Sequence, residues 1–200
     1  MLNITHRICL SKNSKKIIKK YWRNRRGVLD AHSWNSINNR VKNDISKKSL
    51  KNQGFKCVFC QRYLYGQSPE LEHFANKALY ARFSFNPINI FYSCHFCNST
   101  DRKGILNTIL IYNNRYDQCM FSILHPYLDD IDAQLIYQDE DKVLFDWLSC
   151  SQRARDTIVS LILDDPIMSN IRSRDLLYQR LNPLTSISEN ELIQLSIAYK

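Results

Sequence analysis

Between Ser14 and Arg26 the chain sets Ile17, Ile18, Tyr21 and Trp22 at i, i+1, i+4 and i+5 among basic residues, which predicts an amphipathic helix. Its aromatic side would either pack inward or lie along a duplex. From Ser33, a candidate N-cap, Ile37, Val41 and Ile45 recur every four residues and predict a second helix. At Gly54 the texture changes to cysteines, aromatics and short apolar runs. GFKCVFCQRYLY reads as a strand or knuckle pair, and INIFYSC (Ile88 to Cys94) as a strand leading into a turn. After Asn98, STDRKGILNTILIY has helical spacing through Ile105, Ile109 and Tyr112, although Gly104 weakens it. AQLIYQDEDKVLFDW flanks QDED with two β-rich runs and predicts a hairpin. The remainder is helical in pattern. RARDTIVSLILDDP is expected to stop at Pro166 and MSNIRSRDLLYQRLNP at Pro183, and Ser188 with Glu191 forms a capping box opening a last helix.

A length of 200 residues suits one compact unit with helical extensions. With four glycines, five prolines and no repeat, neither a long linker nor a solenoid is expected. No apolar run approaches the roughly 18 residues of a membrane span, and the N-terminus lacks a signal-peptide pattern. The expectation is a soluble, cytoplasmic protein with no membrane partner. The net charge of +9 is segregated: residues 1–56 hold 15 Lys or Arg against Asp30 and Asp44, whereas residues 57–200 hold 13 against 17. Such a basic arm is either a solvated helix face or a surface for nucleic-acid phosphates.

Four of seven cysteines form two Cys-x-x-Cys pairs, Cys57 with Cys60 and Cys94 with Cys97. Two such pairs match the closed tetrahedral shell of a structural zinc ion, with no position left for activating water. A core of free thiols does not require paired spacing, and a thioredoxin-like role lacks its βαβ pattern. Cys9, Cys119 and Cys150 then read as small buried hydrophobes. Zinc would pin the ends of a 33-residue insert that contains Glu72, His73 and Asn89, with Asn98 directly after the last cysteine. Phosphodiester hydrolysis needs a base and a divalent cation. His73 titrates near neutral pH in its ordinary state. Glu72 and Asn98 offer the hard oxygens that magnesium or manganese takes. On a strand, neighbours such as Glu72 and His73 point to opposite faces, so they can share a site only where the strand bends or ends. Taken singly, each is as well explained as a structural residue.

Cys-x-x-Cys, then Glu-His-Phe, then Asn-Ile before a second Cys-x-x-Cys-Asn, with Lys103-Gly104 following, resembles the zinc-knuckle branch of the HNH (ββα-metal, His-Me finger) endonucleases across residues 54–104. The resemblance implies an α+β fold: a zinc-stapled ββα-metal nuclease core with flanking N- and C-terminal helices. It implies that His73 is the general base, Glu72 a metal ligand, Asn89 the brace of the loop carrying the base, and Asn98 the second ligand of a catalytic Mg2+ or Mn2+. It further implies cutting of DNA to 5′-phosphate and 3′-hydroxyl ends. HPYLDD and the RARDTIVSLILDDPIMSNIRSRD stretch are similar to the tails of HNH proteins of retron and Septu-type antiphage defence systems, whose members commonly act beside an ATPase partner. The family's Pro-Lys-Ser after Glu-His is replaced by Ala75-Asn76-Lys77-Ala78, and Asp101 and Arg102 stand between Asn98 and Lys103. Asp101 is a candidate third ligand or a helix-surface residue. His95 reads as a surface or phosphate-contacting residue rather than a zinc ligand, and His125 as a packing residue beside Pro126 or a DNA contact. The expected organisation is a basic helical arm over 1–50, the nuclease core over 51–115 and a hairpin plus helices over 116–200. Lys77, Arg82, Arg102 and Lys103 would join the arm in holding the nucleic-acid backbone. The competing reading is a catalytically inactive zinc-dependent nucleic-acid-binding or assembly module. A RING-like module would need a second set of four ligands.

Overall fold

Ser11 accepts the N–H of Ser14 at 3.1 Å and opens helix α1, Lys12–Asn24. The structure, a computed structural model, describes residues 1–65 and 69–181. Ile17, Ile18, Tyr21 and Trp22 pack inward, Tyr21 edge-on to Phe85 with ring centroids 5.6 Å apart, while the lysines of α1 stay exposed. The predicted second helix is interrupted. A short α2, Ser33–Ser36, gives way at the extended Ile37, and α3, Asn39–Asn52, restarts behind Asn38, whose side chain accepts the Arg40 N–H at 2.9 Å. Ser33 is not the cap, because its hydroxyl is engaged by Asp30. The break lets Ile37 turn into the cluster of Trp34, Val41, Ile45, Phe85 and Ile90.

Strand β1, Glu70–His73, pairs antiparallel with β2, Ile90–Ser93, in the register Glu70 with Ser93, Leu71 with Tyr92, Glu72 with Phe91 and His73 with Ile90. All of β2 is buried, α3 lying across it. Phe91 and Phe74 join the larger apolar cluster with Phe121, Leu124, Ile158 and Leu161. Helix α4, His95–Asn98, follows β2 directly. Beyond it the expected helix does not form. Ser99 is extended and ends α4, a series of turns follows, and Ile109–Ile111 is strand β3, paired with β4, Met120–Phe121. Gly104 sits so tightly that a Cβ there would lie 2.7 Å from the Thr100 Cα and 2.8 Å from the Ser99 carbonyl oxygen. The β-branched run Thr108–Ile109 and Ile111 then favours the pleated surface over helix.

The chain doubles back around QDED through one antiparallel bridge, Tyr137 with Phe145, after a short α5, Ile131–Gln134. Helix α6, Gln152–Leu161, ends at the left-handed Ile162 (φ 50°) rather than running to Pro166, which instead begins α7, Pro166–Leu181. Arg102 donates to the Leu161 carbonyl at 2.8 Å and also to that of Ile162, capping α6 from the turn after α4. The expected stop at Pro183 and the Ser188–Glu191 capping box lie outside the described residues. Among the described residues the class is mixed α+β with two short sheets. Among the described residues no helix is long and apolar enough to cross a membrane.

Candidate metal centre and active site

The first knuckle closes through local bonds: Gln61 donates its N–H to the Cys57 carbonyl at 3.0 Å, and Cys57 donates to that of Arg62 at 2.9 Å. Gln61 pays the left-handed conformation this turn requires (φ 65°). Cys94 and Cys97 sit at the start and third position of α4. The four sulfurs of Cys57, Cys60, Cys94 and Cys97 lie within 4.8 Å of one another, all buried, with Cys60 and Cys94 Sγ 3.8 Å apart. Four sulfurs at a Zn–S length of about 2.3 Å form a tetrahedron with edges of about 3.8 Å. The cluster could therefore hold a zinc ion. Contacts from Cys57, then Cys60 and Cys97, draw the Cys94 thiol far below the ordinary range, and the contact with Cys57 pushes those of Cys60 and Cys97 up. Cys119 and Cys150 are buried as expected; Cys9 is exposed.

Glu72 and His73 are the last two residues of β1, and their side chains diverge. Glu72 meets Lys103, whose Nζ donates to Oε1 at 2.8 Å and to the His73 carbonyl at 3.3 Å. Burial pushes the Glu72 carboxyl up, against the pull of the Lys103 charge. His73 turns toward Trp34, whose ring stands edge-on at 4.8 Å, and its Nε2 lies 3.1 Å from the Ser84 carbonyl. A carbonyl only accepts, so Nε2 carries the proton and Nδ1 the lone pair. Titration near neutrality does not survive folding. Burial, joined by the Lys77 charge and opposed by the Ser84 carbonyl, lowers His73 to about 3, and the residue is 4% exposed.

The chain leaves β1 under the control of Asn89, which is fully buried. Its Oδ1 accepts the Ala75 N–H at 2.7 Å and the Tyr116 hydroxyl at 2.8 Å, and its Nδ2 donates to the Ala75 and Phe83 carbonyls, each at 3.2 Å. Those bonds span the loop between His73 and Ser84. Asn98, at the end of α4, is drawn to Glu70 and not to Glu72: its Nδ2 donates to Glu70 Oε2 at 2.6 Å. The Asn98 Oδ1 is buried and has no hydrogen-bond partner among the described residues. Glu70 also meets His95 Nδ1 at 2.7 Å, and these two contacts, Asn98 first, hold its carboxyl below the usual range.

Glu70 is the residue sequence reasoning passed over. The signal was present in ELEH, because a period of two puts Glu70 on the face of Glu72. Arg102 and Lys103 were expected on the nucleic-acid backbone, but both are buried. The former caps α6, pairs with Asp165 at 3.3 Å and stacks on Phe96, and the latter is spent on Glu72. Arg82 is exposed beside Trp22, Lys77 is half-buried, and Asp101 is exposed. A cleft of about 630 Å³ opens between Leu29–Ala31 and Ala78–Arg82, with Tyr112, and contains neither Glu72 nor His73.

No family model matches the chain. Over 80 residues, 40% of this chain, it is 31% identical to Protein ea31 of Escherichia phage lambda. The matched stretch is 23% of that protein's length, so the chain spans well under two thirds of its relative.

Proposed function

We propose that the chain is a metal-dependent endonuclease of the HNH, ββα-metal type that hydrolyses phosphodiester bonds in DNA. The observation that carries this reading is the unclaimed Asn98 oxygen on α4, on a sulfur-stapled β1–β2–α4 unit that also presents the Glu72 carboxylate. A buried oxygen without a donor is costly unless a ligand takes it, and an amide oxygen with a carboxylate is a donor set for a hard divalent cation. Glu72 and Asn98 would hold Mg2+ or Mn2+, and the four cysteines a structural zinc. When bound, the cation neutralises charge developing on the phosphate and the leaving oxygen.

The rest falls to this chain's own groups. His73 stands neutral at physiological pH, and with Nε2–H fixed on the Ser84 carbonyl its Nδ1 is the atom that accepts a proton from water. An arriving phosphate carries negative charge that favours the imidazolium, so the base strengthens as substrate binds. Asn89 holds the loop between them. Exposed Lys and Arg of α1, with Lys77 and Arg82, would hold the backbone without specifying sequence. The similarity to a phage protein supports a phage-related setting. By the resemblance described above, that setting is antiphage defence beside an ATPase partner.

Two observations favour a second reading. His73 is nearly inaccessible and Glu72 is already paired with Lys103, as in a binding or assembly module whose centre is silent. Plasmid nicking with magnesium or manganese decides between them, run beside EDTA and beside His73→Ala and Asn98→Ala proteins that keep their zinc. Metal-dependent cutting confined to the wild type supports the nuclease. Intact DNA and RNA with every metal and with an ATPase partner supports the binding module.

A further inference from the structure

The Asn98 amide could face either way in its pocket, and only one orientation offers an oxygen. Glu70 removes the choice. An ionised carboxylate accepts and never donates, so the Asn98 NH2 must face Glu70 Oε2 and Oδ1 must point away from it. The other Glu70 oxygen is held by His95 Nδ1 at 2.7 Å, which fixes the carboxylate in turn. We propose that Glu70 is a positioning residue that locks the Asn98 side chain with its oxygen presented to a divalent cation, His95 serving as its outer anchor. Residues two apart on β1 share a face, so Glu70 stands beside Glu72 without having to ligate the ion itself. The inference rests on the nuclease reading, in which Asn98 is a cation ligand.

The substitution that probes it is Glu70→Gln, nearly isosteric but able to donate. A Gln NH2 can pair with the Asn98 oxygen, turn the amide over and consume the ligand atom. Partners that orient a metal ligand typically change affinity by roughly 10- to 100-fold. The assay is Mn2+ titration of the zinc-loaded full chain followed by electron paramagnetic resonance, at low and high KCl. Glu70→Gln is expected to bind Mn2+ at least about tenfold more weakly with zinc content and melting temperature retained. Glu70→Asp, still an obligate acceptor, should recover part of the loss. Removing a half-exposed negative charge also weakens cation binding, but salt screens that contribution. A deficit that persists at high KCl supports the positioning role; one that vanishes there overturns it. If Asn98→Ala abolishes Mn2+ binding while Glu70→Gln stays within about twofold of wild type, the positioning role is overturned and the Asn98 ligand stands. Failure of the wild type to bind Mn2+, or full binding by Asn98→Ala, overturns the underlying reading and this inference with it.

Discussion

Acidification should destabilise this protein through a buried histidine packed behind its candidate site. His125 lies fully buried within an aromatic box, its ring 4.5 Å from Phe74, 4.9 Å from Phe121 and 5.8 Å from Phe91. Its Nδ1 accepts the Tyr127 N–H at 3.1 Å, so the single proton of the neutral ring sits on Nε2 and is donated to the Tyr116 hydroxyl at 3.0 Å. A second proton would have to enter at Nδ1, facing another N–H. Burial, followed by the Arg153 and Arg7 charges, lowers the group to about 3 from 6.5. The folded value is below the unfolded one, so the unfolded chain binds the extra proton and stability is lost as pH falls from 6.5 toward 3. At about 1.36 kcal/mol per pH unit the loss reaches about 2 kcal/mol at pH 5 and about 5 kcal/mol near pH 3. Total stabilities of about 5 to 15 kcal/mol make this a large share. The assay is urea unfolding at pH 7 and pH 5 of wild type and His125→Gln. The variant should be weaker by about 1–2 kcal/mol at pH 7 through lost ring contacts, yet lose about 2 kcal/mol less than wild type between the two pH values. Equal losses in both proteins would refute the assignment of the proton to His125.

Zinc analysis should find one ion per chain, and Cys97→Ser should release it and lower the melting temperature by roughly 10 °C or more; an equally stable metal-free chain would remove the staple from the account. Gly104→Ala drives a methyl group into the Thr100 backbone and should cost about 1–3 kcal/mol in chemical unfolding, with a neutral effect showing that the turn after α4 yields freely. Asn89→Asp puts a carboxylate against the Ala75 and Phe83 carbonyls, so it should be destabilised by about 2–4 kcal/mol at pH 7 and partly recover on mild acidification, when the acid can donate; no recovery would mean those two bonds carry little.

How much of this was legible in the sequence follows from which signals are local. The paired cysteines could be read because a two-residue gap itself closes a knuckle, and the structure gathers all four sulfurs. INIFYSC could be read as a strand because it is apolar, β-rich and short. The stretch after Asn98 misled because Ile105, Ile109 and Tyr112 fit a helical period, while the chain breaks locally at the extended Ser99 and turns so that Gly104 lies against the Ser99 and Thr100 backbone. Arg102 and Lys103 misled because their contacts are tertiary: a charge is legible, but its burial against the α6 terminus and Glu72 depends on partners 59 and 31 positions away. His73 kept its identity as a candidate while its titration, set by Trp34, Ser84 and burial, could not be read at all.

The segment after residue 115 reaches the candidate site through hydrogen bonds whose directions are fixed. Because Tyr127 donates to His125, His125 donates to Tyr116; because His125 occupies the hydroxyl lone pair, Tyr116 is left to donate to Asn89 Oδ1. Asn89 Oδ1 then serves both Tyr116 and Ala75, and its NH2 must turn to the Ala75 and Phe83 carbonyls. Each step decides the next, so the orientation of the amide that spans the His73 loop is specified from Tyr127 inward. Arg102, shortly after Asn98, adds a second tie by capping α6. Tyr116→Phe tests the chain at its middle link. It keeps the ring in place against Phe83 at 4.9 Å and removes one oxygen, leaving the His125 donor unpaired in an apolar box at a cost of about 1–3 kcal/mol. If the relay sets the loop, hydrogen exchange at the Ala75 amide should quicken in this variant beyond the global loss of stability. An Ala75 amide that only tracks global unfolding would reduce Tyr116 to packing.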